Sequence, residues 1–206
     1  MKLYLFSRRP RLLGVILAGA ALVPALASGA PAQAAALSPT GACDNSVLTQ
    51  PFTHWGDSSS YKLVPGGSFE VGSPAWTLSN GARVVAGNEP YGASGSAGKS
   101  SLYLPAGASA QSPVTCVNYA YPTFRFFARN DWLLSTLLVQ VVYNGVALPV
   151  GVTALSGSWQ PTLPMLTLSA IPGLLDGGTT PVALRFTALL GGSHIDDVFV
   201  DPRMHH

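Results

Sequence analysis

Three apolar stretches of the chain each contain one long polar residue that could take part in ligand binding. These residues are Arg125, Gln140 and Arg185, and each has apolar or aromatic neighbours on both sides. Successive side chains of a strand point to opposite faces, so each is predicted to point away from the core. If the strands are neighbours, these residues and Phe127 form one surface suited to sugar hydroxyls and a sugar ring. The alternative is that the arginines only solvate an ordinary exposed sheet face.

Two aromatic residues in predicted loops are further candidates for ligand binding. Tyr91 lies in the string Asn-Glu-Pro-Tyr-Gly, and Trp132 follows an Asn-Asp pair. An exposed ring offers a flat apolar face against which a ligand can stack. Trp76 and Trp159 adjoin strand patterns, so for them we predict core or half-buried packing.

A glycine-rich string at residues 92–100 has some features of a phosphate-binding P-loop. A P-loop has four residues between its first glycine and the Gly-Lys pair, which would require glycine where the chain has Ala93. The residues that follow the string have strand character, whereas a P-loop leads into a helix. We interpret the string as a flexible loop.

The sequence contains no recognisable catalytic set. Nucleophile-elbow, zincin and Cys-x-x-Cys patterns are absent, and the four histidines lie in no partner motif. The carboxylates that could form a glycosidase pair are Glu70, Glu89, Asp131 and Asp176. Nothing in the sequence brings two of them to the required separation of about 5 to 9 Å. We therefore predict that the protein is not an enzyme, with a hydrolase of unrecognised site as the weakest alternative.

Short runs of β-branched and aromatic residues, separated by Gly, Pro and Asn, predict an all-β fold. The predicted strands are residues 68–71, 75–79, 82–86, 100–104, 123–129, 137–143, 147–153, 163–169, 181–189 and 194–201. Because no amphipathic helix separates them, we predict a two-sheet jelly-roll sandwich over residues 67–206. Residues 35–66 are predicted to form an N-terminal extension that wraps the sandwich.

Residues 1–34 have the pattern of a secretory signal peptide. Basic residues at positions 2, 8, 9 and 11 precede an apolar run at 12–27, and an Ala-x-Ala motif ends at Ala34. The run is shorter than the roughly 20 residues of a membrane-spanning helix, so we predict cleavage and no stable membrane span. The protein is then secreted, extracellular or in the cell envelope, and the Sec and Tat routes both stay open.

Cleavage would reverse the net charge of the protein. The chain has 11 basic and 9 acidic residues, for a formal charge of +2, and four of the basic residues lie within 1–34. The rest of the chain therefore carries a charge of −2. This balance argues against nucleic acid as a partner.

The only two cysteines, Cys43 and Cys116, are predicted to pair in an oxidising compartment. The disulfide would close a loop of roughly 74 residues and contribute about 4 kcal/mol to stability.

Motifs at both ends of the predicted sandwich resemble those of a known family. The string Gly-Ser-Phe-Glu at 67–70 and the string Ile-Asp-Asp-Val-Phe-Val-Asp at 195–201 resemble the first and last strands of galactose-binding-like carbohydrate-binding modules. Residues 98–102 and Trp159 extend the resemblance, which covers about 66–202. It implies a galactose-binding-like jelly roll and a carbohydrate ligand.

The resemblance also implies a structural calcium ion. In such modules an early Glu and a late Asp commonly meet around calcium, and here Glu70 and Asp196 hold these positions. A hard cation needs six to eight oxygen ligands, which two carboxylates and backbone carbonyls could supply. The alternative is that either carboxylate pairs with an arginine such as Arg83, Arg125 or Arg185.

These observations support a secreted, non-catalytic binding module that recognises an extracellular polysaccharide or cell-wall glycan. The alternative is a cell-envelope or surface structural protein that has the same fold and no glycan ligand. Low charge and many small residues fit both hypotheses.

Overall fold

Two antiparallel sheets form nearly all the regular structure of the computed structural model, which describes residues 47–70, 76–118, 123–167 and 179–201. The strands are β1 (Lys62–Leu63), β2 (Thr77–Ser79), β3 (Arg83–Ala86), β4 (Ser100–Leu104), β5 (Ser109–Gln111), β6 (Thr115–Asn118), β7 (Thr123–Asn130), β8 (Thr136–Tyr143), β9 (Val146–Ala154), β10 (Gln160–Pro161), β11 (Met165–Leu166), β12 (Thr179–Leu190) and β13 (Ser193–Asp201). One 3₁₀ helix, Thr53–Trp55, precedes them in the described part of the chain.

The two sheets pack as a jelly-roll sandwich, which confirms the predicted fold class. The first sheet has the order β10-β7-β13-β4-β3, with β1 paired to β13 and β11 paired to β7. The second has the order β2-β5-β12-β8-β9, with β6 paired to β12. The described helix is too short and too polar to cross a membrane, and no other helix occurs within the described ranges.

The core lies between the sheets and follows the predicted alternation. Phe124 and Phe126 of β7 face Leu184 and Phe186 of β12, and all four side chains are fully buried. The rings of Phe126 and Phe186 meet edge to face at 4.9 Å. Burying each such side chain contributes about 1.5 to 3 kcal/mol.

A second apolar cluster covers the outer face of the first sheet. Phe52 and Tyr61, from the N-terminal segment (residues 47–66), pack there on Phe127 of β7 and Phe199 of β13. The ring of Phe52 lies 5.0 to 5.5 Å from the other three. The N-terminal segment is therefore an integral part of the fold in this region.

A bulge in β13 changes which side chains reach the core. The register with β7 shifts between Asp196 and Phe199, and Asp197 has a φ of +43°. Val198 and Val200 face the core as predicted. The prediction that Asp196 lies on their side is wrong, because the inserted residue reverses the alternation. Asp197, which was predicted to point outward, is buried instead.

Strand predictions failed where the chain makes short or irregular pairings. Residues 68–70 form no strand, and Phe69 has a φ of +53°. The short strands β1, β5, β6 and β10 carry too few residues to show alternation.

Cys116 is buried on β6, whereas Cys43 lies outside the described residues, so their disulfide stays a prediction. The signal peptide also lies outside them.

Candidate ligand-binding site

One end of the sandwich carries a surface cavity of about 520 Å³. It lies between the β7–β8 turn and the residues that follow β9. The lining residues are Arg129, Asn130, Asp131, Trp132, Leu133, Leu155, Ser156 and Gly157. Its volume is within the range that small-molecule sites occupy.

Hydrogen bonds fix the walls of this cavity to the strands. The side-chain amide of Asn130 donates to the Leu155 carbonyl at 2.6 Å, and its backbone N–H donates to the Ser156 carbonyl at 2.7 Å. The backbone N–H of Asp131 donates to the Gly192 carbonyl at 3.1 Å. The loops are therefore held in place without a ligand.

Three polar side chains meet beside the cavity. Arg129 donates from Nη1 to Asp131 Oδ1 at 2.9 Å, and its Nη2 lies 3.1 Å from His194 Nε2. His194 Nε2 is also 3.2 Å from Asp131 Oδ2. The His194 side chain is nearly buried, whereas Arg129 and Asp131 keep about a third of their side-chain surface exposed. His194 therefore contacts the Arg129–Asp131 pair on its buried side, and the other side of the pair is exposed to the cavity.

The charge state of His194 is set by this arrangement. Burial lowers the pKa of His194, and the Arg129 cation lowers it further, while the Asp131 carboxylate acts in the opposite direction. His194 is therefore neutral at pH 7. Its Nδ1 is buried and has no hydrogen-bond partner among the described residues.

Aromatic rings surround the polar group. Trp132 is 70% exposed at the edge of the cavity. The Arg129 guanidinium lies 5.5 Å from the half-buried ring of Trp159. The ring of Tyr103 lies 4.8 Å from that of His194. Trp76 is buried in the core, so both predicted packing tryptophans pack as expected.

A smaller cavity of about 270 Å³ carries the other predicted loop aromatic, Tyr91. It is lined by Pro51, His54, Trp55, Tyr91 and Ala93. Tyr91 is 43% exposed, its hydroxyl donates to the Trp159 carbonyl at 3.0 Å, and its ring contacts Trp55 edge to face at 4.9 Å. Of the two predicted loop aromatics, Tyr91 therefore contacts Trp159, and Trp132 lines the larger cavity together with Arg129.

Gln140 and Arg185 are neighbours, as predicted, on the outer face of the second sheet. Their backbones pair directly between β8 and β12. Arg185 also donates to Gln111 Oε1 at 2.7 and 3.1 Å, so the polar row has a third member that the sequence analysis missed. The described strands place no aromatic ring on this face beside the row, in contrast to the cavity.

The prediction that Arg125 and Phe127 share that surface is wrong, because β7 belongs to the first sheet. Phe127 is fully buried under Phe52. Arg125 is also buried: it donates to Asp57 Oδ2 at 2.6 Å and to the Thr162 carbonyl at 2.8 Å. The N-terminal segment covers both side chains, so neither can reach a ligand.

Three carboxylates are buried together beneath the 88–97 loop: Glu89, Asp196 and Asp197. Backbone N–H groups of that loop donate to them. Asp196 Oδ2 accepts from Glu89 at 3.0 Å, Asp197 Oδ2 accepts from Ser94 at 2.8 Å, and Glu89 accepts from Ala93 at 2.8 Å and from Tyr91. The cluster anchors the loop that carries Tyr91.

Burial and neighbouring carboxylates raise the pKa values of Asp196 and Asp197. Burial, followed by the charge of Asp197, raises the pKa of Asp196 to about 8. Burial and the charge of Glu89 raise the pKa of Asp197 to about 7. The cluster therefore holds protons at neutral pH. Perturbed carboxylates can mark catalytic sites, but side chains that are 1 to 3% exposed cannot reach a substrate.

The predicted calcium ligands, Glu70 and Asp196, each accept backbone hydrogen bonds, and the calcium site stays a prediction. Glu70 Oε1 accepts from the backbone N–H groups of Lys99 and Ser100 at 2.7 and 2.9 Å. Both Asp196 oxygens likewise accept from backbone N–H groups. Within the described ranges, no three His, Cys, Asp or Glu side chains are placed to hold a metal ion. The alternative partners are also absent, because neither carboxylate forms an ion pair with an arginine in the described part of the chain.

The protein is similar in structure to several solved carbohydrate-binding modules. The CBM22-1 xylan-binding domain of Xyn10C from Paenibacillus barcinonensis is 14% identical over 68% of this chain and 94% of that one, with a TM-score of 0.44. The C-terminal CBM6 of the laminarinase LamC from Zobellia galactanivorans is 9% identical over 68% and 96%, with a TM-score of 0.43.

A third similar structure is the K1 cleaved adhesin domain of Lys-gingipain from Porphyromonas gingivalis. It is 17% identical over 66% of this chain and 96% of that one, with a TM-score of 0.43. No family model and no curated protein matches the sequence. The two antiparallel sheets of the chain form a jelly-roll sandwich, the fold class that the sequence predicted.

Proposed function

We propose that this protein is an exported, non-catalytic carbohydrate-binding protein whose ligand occupies the 520 Å³ cavity. One observation carries the proposal: the exposed ring of Trp132 adjoins the Arg129–Asp131 pair within a single cavity. The predicted row on the second sheet offers polar groups without a ring.

The chemistry of this group suits a sugar. Neighbouring sugar hydroxyls both donate and accept hydrogen bonds, while Arg129 only donates and ionised Asp131 only accepts. Hydrogen bonds to charged groups are about twice as strong as neutral ones. Trp132 supplies an apolar face for the C–H side of a sugar ring. Because Arg129 is held by both Asp131 and His194, little conformational entropy is lost on binding.

A non-catalytic role is supported by the position of the acidic residues. The described carboxylates with raised pKa values, Asp196 and Asp197, are buried under a loop. At the cavity, Asp131 stands without a second carboxylate among the lining residues. Asp176, another acid considered for catalysis, lies outside the described residues.

Affinity electrophoresis in gels containing xylan, β-1,4-galactan or laminarin tests the proposal. We expect at least one polysaccharide to retard the exported protein, and Trp132→Ala or Arg129→Met to weaken retention about tenfold or more, since a charged hydrogen bond contributes about 1.5 to 3 kcal/mol. Arg185→Met is the matched control, because it makes the same change on the second sheet, and it should leave retention unchanged.

Two results would contradict the proposal. If Arg185→Met weakens retention and Arg129→Met does not, the ligand lies on the second sheet. If no polysaccharide in a broad panel retards the protein, the alternative of a cell-envelope structural protein gains support.

A further inference from the structure

The end of the sandwich that carries the cavity also exposes an unusual amount of apolar surface. Five large side chains, on the β7–β8 turn and at the end of β12 where the β12–β13 turn begins, form what we call the apolar tip. Their exposed fractions are 70% for Trp132, 90% for Leu133, 65% for Leu134, 46% for Leu189 and 57% for Leu190. Soluble proteins rarely cluster such residues on their surface without a binding role.

The two turns are adjacent and rigid. Leu190 of β12 pairs with Thr136 of β8, directly after the β7–β8 turn. Ser135 donates to the Trp132 carbonyl from its backbone N–H at 3.1 Å and from its hydroxyl at 3.0 Å. Gly191 has a φ of +65° and lies so close that a Cβ there would collide with the Ser135 hydroxyl. The leucines are therefore held in their exposed positions.

The composition of the apolar tip favours a lipid surface over a glycan. Leucine side chains form no hydrogen bonds with sugar hydroxyls, so Leu134, Leu189 and Leu190 add nothing to the proposed glycan site. In membranes, leucine partitions into the hydrocarbon and tryptophan into the interface. Side chains that project from two turns can enter a fluid bilayer singly, whereas a protein partner would need matching grooves.

The charges around the apolar tip also favour a lipid surface. Asp131 is neutralised by its contact with Arg129. Arg83, which forms no ion pair among the described residues, stacks on the Tyr103 ring at 4.6 Å, and the Tyr103 hydroxyl lies beside Gly192 of the β12–β13 turn. The rim therefore carries one net positive charge, from Arg83, which suits anionic lipid head groups. Two copies of the chain that met through this end would bring their Arg83 side chains together.

We infer that the apolar tip inserts into the interface of a lipid bilayer and that the basic rim favours anionic lipids. The apolar tip shares Trp132 and Leu133 with the cavity of the proposed glycan site, whereas Leu134, Leu189 and Leu190 belong to the tip alone.

Vesicle flotation of the exported protein tests the inference, with vesicles of phosphatidylcholine alone or mixed with phosphatidylglycerol. We expect flotation with both, and more with the anionic mixture. Leu134→Ser/Leu190→Ser should reduce the partition coefficient about tenfold or more, because each substitution removes apolar side-chain surface equivalent to several methylene groups. Leu163→Ser/Leu166→Ser is the matched control at other exposed leucines, and it should float like the wild type.

The remaining arms separate this inference from the glycan proposal. Arg129→Met should lose polysaccharide retention and still float with phosphatidylcholine vesicles, while Leu134→Ser/Leu190→Ser should keep polysaccharide retention. The inference is overturned if the wild type floats with neither kind of vesicle. It is also overturned if the wild type does not bind vesicles but sediments as a dimer that Leu134→Ser/Leu190→Ser disrupts, because a second copy would then cover the apolar tip.

Discussion

Arg129 Nη2 lies 3.1 Å from His194 Nε2, so a cation contacts an imidazole that is neutral at pH 7. Arginine has no acceptor, and the imidazole can accept at Nε2 only while that nitrogen is unprotonated. Protonation would place a second positive charge against Arg129 and give Nε2–H to Asp131. The polar group of the cavity is therefore sensitive to pH.

Acidification should weaken ligand binding at the cavity, because it protonates His194. Because the pKa of His194 is lowered in the folded protein, its contribution to stability is present above the ordinary value of 6.5 and is lost as the pH falls through the lowered value. We expect polysaccharide retention and the melting temperature to fall together as the pH drops below 6.5. His194→Gln, which is neutral at every pH and can accept from Arg129, should remove this step. An unchanged acid step in that variant would contradict the assignment.

The buried Arg125–Asp57 pair should be important for stability. Burial acts to raise the pKa of Asp57, but hydrogen bonds from Tyr61, Ser59 and Arg125 together lower it. Arg125→Met leaves this carboxylate without its cation and should cost about 3 kcal/mol in the free energy of unfolding. Chemical denaturation measures the loss.

Two variants control this experiment. Asp57→Asn/Arg125→Met should recover part of the loss, because no unpaired charge stays buried. Arg185→Met, on the outer face of the second sheet, removes hydrogen bonds to Gln111 and should cost only about 1 kcal/mol. Equal losses at Arg125 and Arg185 would show that the N-terminal segment does not cover Arg125 in solution.

Phe52 should anchor the N-terminal segment to the first sheet. Its ring is fully buried among three others, so Phe52→Ala should cost about 3 to 5 kcal/mol. Leu163→Ala, at an 82% exposed position, should have almost no effect. Limited proteolysis before and after the substitution would reveal whether residues 47–66 are released, and an unchanged cleavage pattern would contradict the anchoring role.

Asp197→Asn should stabilise the protein above neutral pH. The pKa of Asp197 is raised to about 7 from 3.8, so the folded state binds more protons, and stability is lost as the pH rises from about 4 through about 7. The asparagine side chain imitates the protonated acid and can donate to Glu89, with which Asp197 shares a hydrogen bond. Melting temperatures at a series of pH values, in the presence of a chelator, should show a flatter profile for the variant.

Calcium added to the same samples tests the predicted metal site at Glu70 and Asp196. Carboxylate oxygens that accept backbone N–H groups keep further lone pairs, so if the predicted site forms, calcium should raise the wild-type melting temperature and Glu70→Gln should abolish the rise. An unchanged melting temperature in calcium would contradict the prediction.

The sequence predicted which side chains of a single strand face the core. It did not predict which strands pair with one another. The alternation in β7 places Phe124 and Phe126 in the core, because a strand has only two faces. The same alternation correctly turns Arg125 away from the core. It cannot show that β7 pairs in the first sheet, or that residues 47–66 cover its outer face.

The candidate site was only partly predictable for the same reason. Trp132 and Tyr91 were identifiable as loop aromatics, and the neighbouring Asp131 marked the β7–β8 turn. His194 lies 63 residues from Asp131 along the chain, and only the β13–β7 pairing brings them together. The bulge at Asp197 was invisible as well, because an inserted residue in a strand leaves no mark in a short apolar run.

The pairing of β1 with β13 has a consequence for how the chain acquires its structure. Lys62 and Leu63 align with Val200 and Phe199, so the earliest described strand closes on the latest one. Contacts of such long sequence separation form slowly, because a large loop must be ordered first. The outer aromatic cluster cannot assemble until β13 has been synthesised. A chain that is still emerging therefore stays open along this face, which would suit passage through a translocation pore before folding is complete.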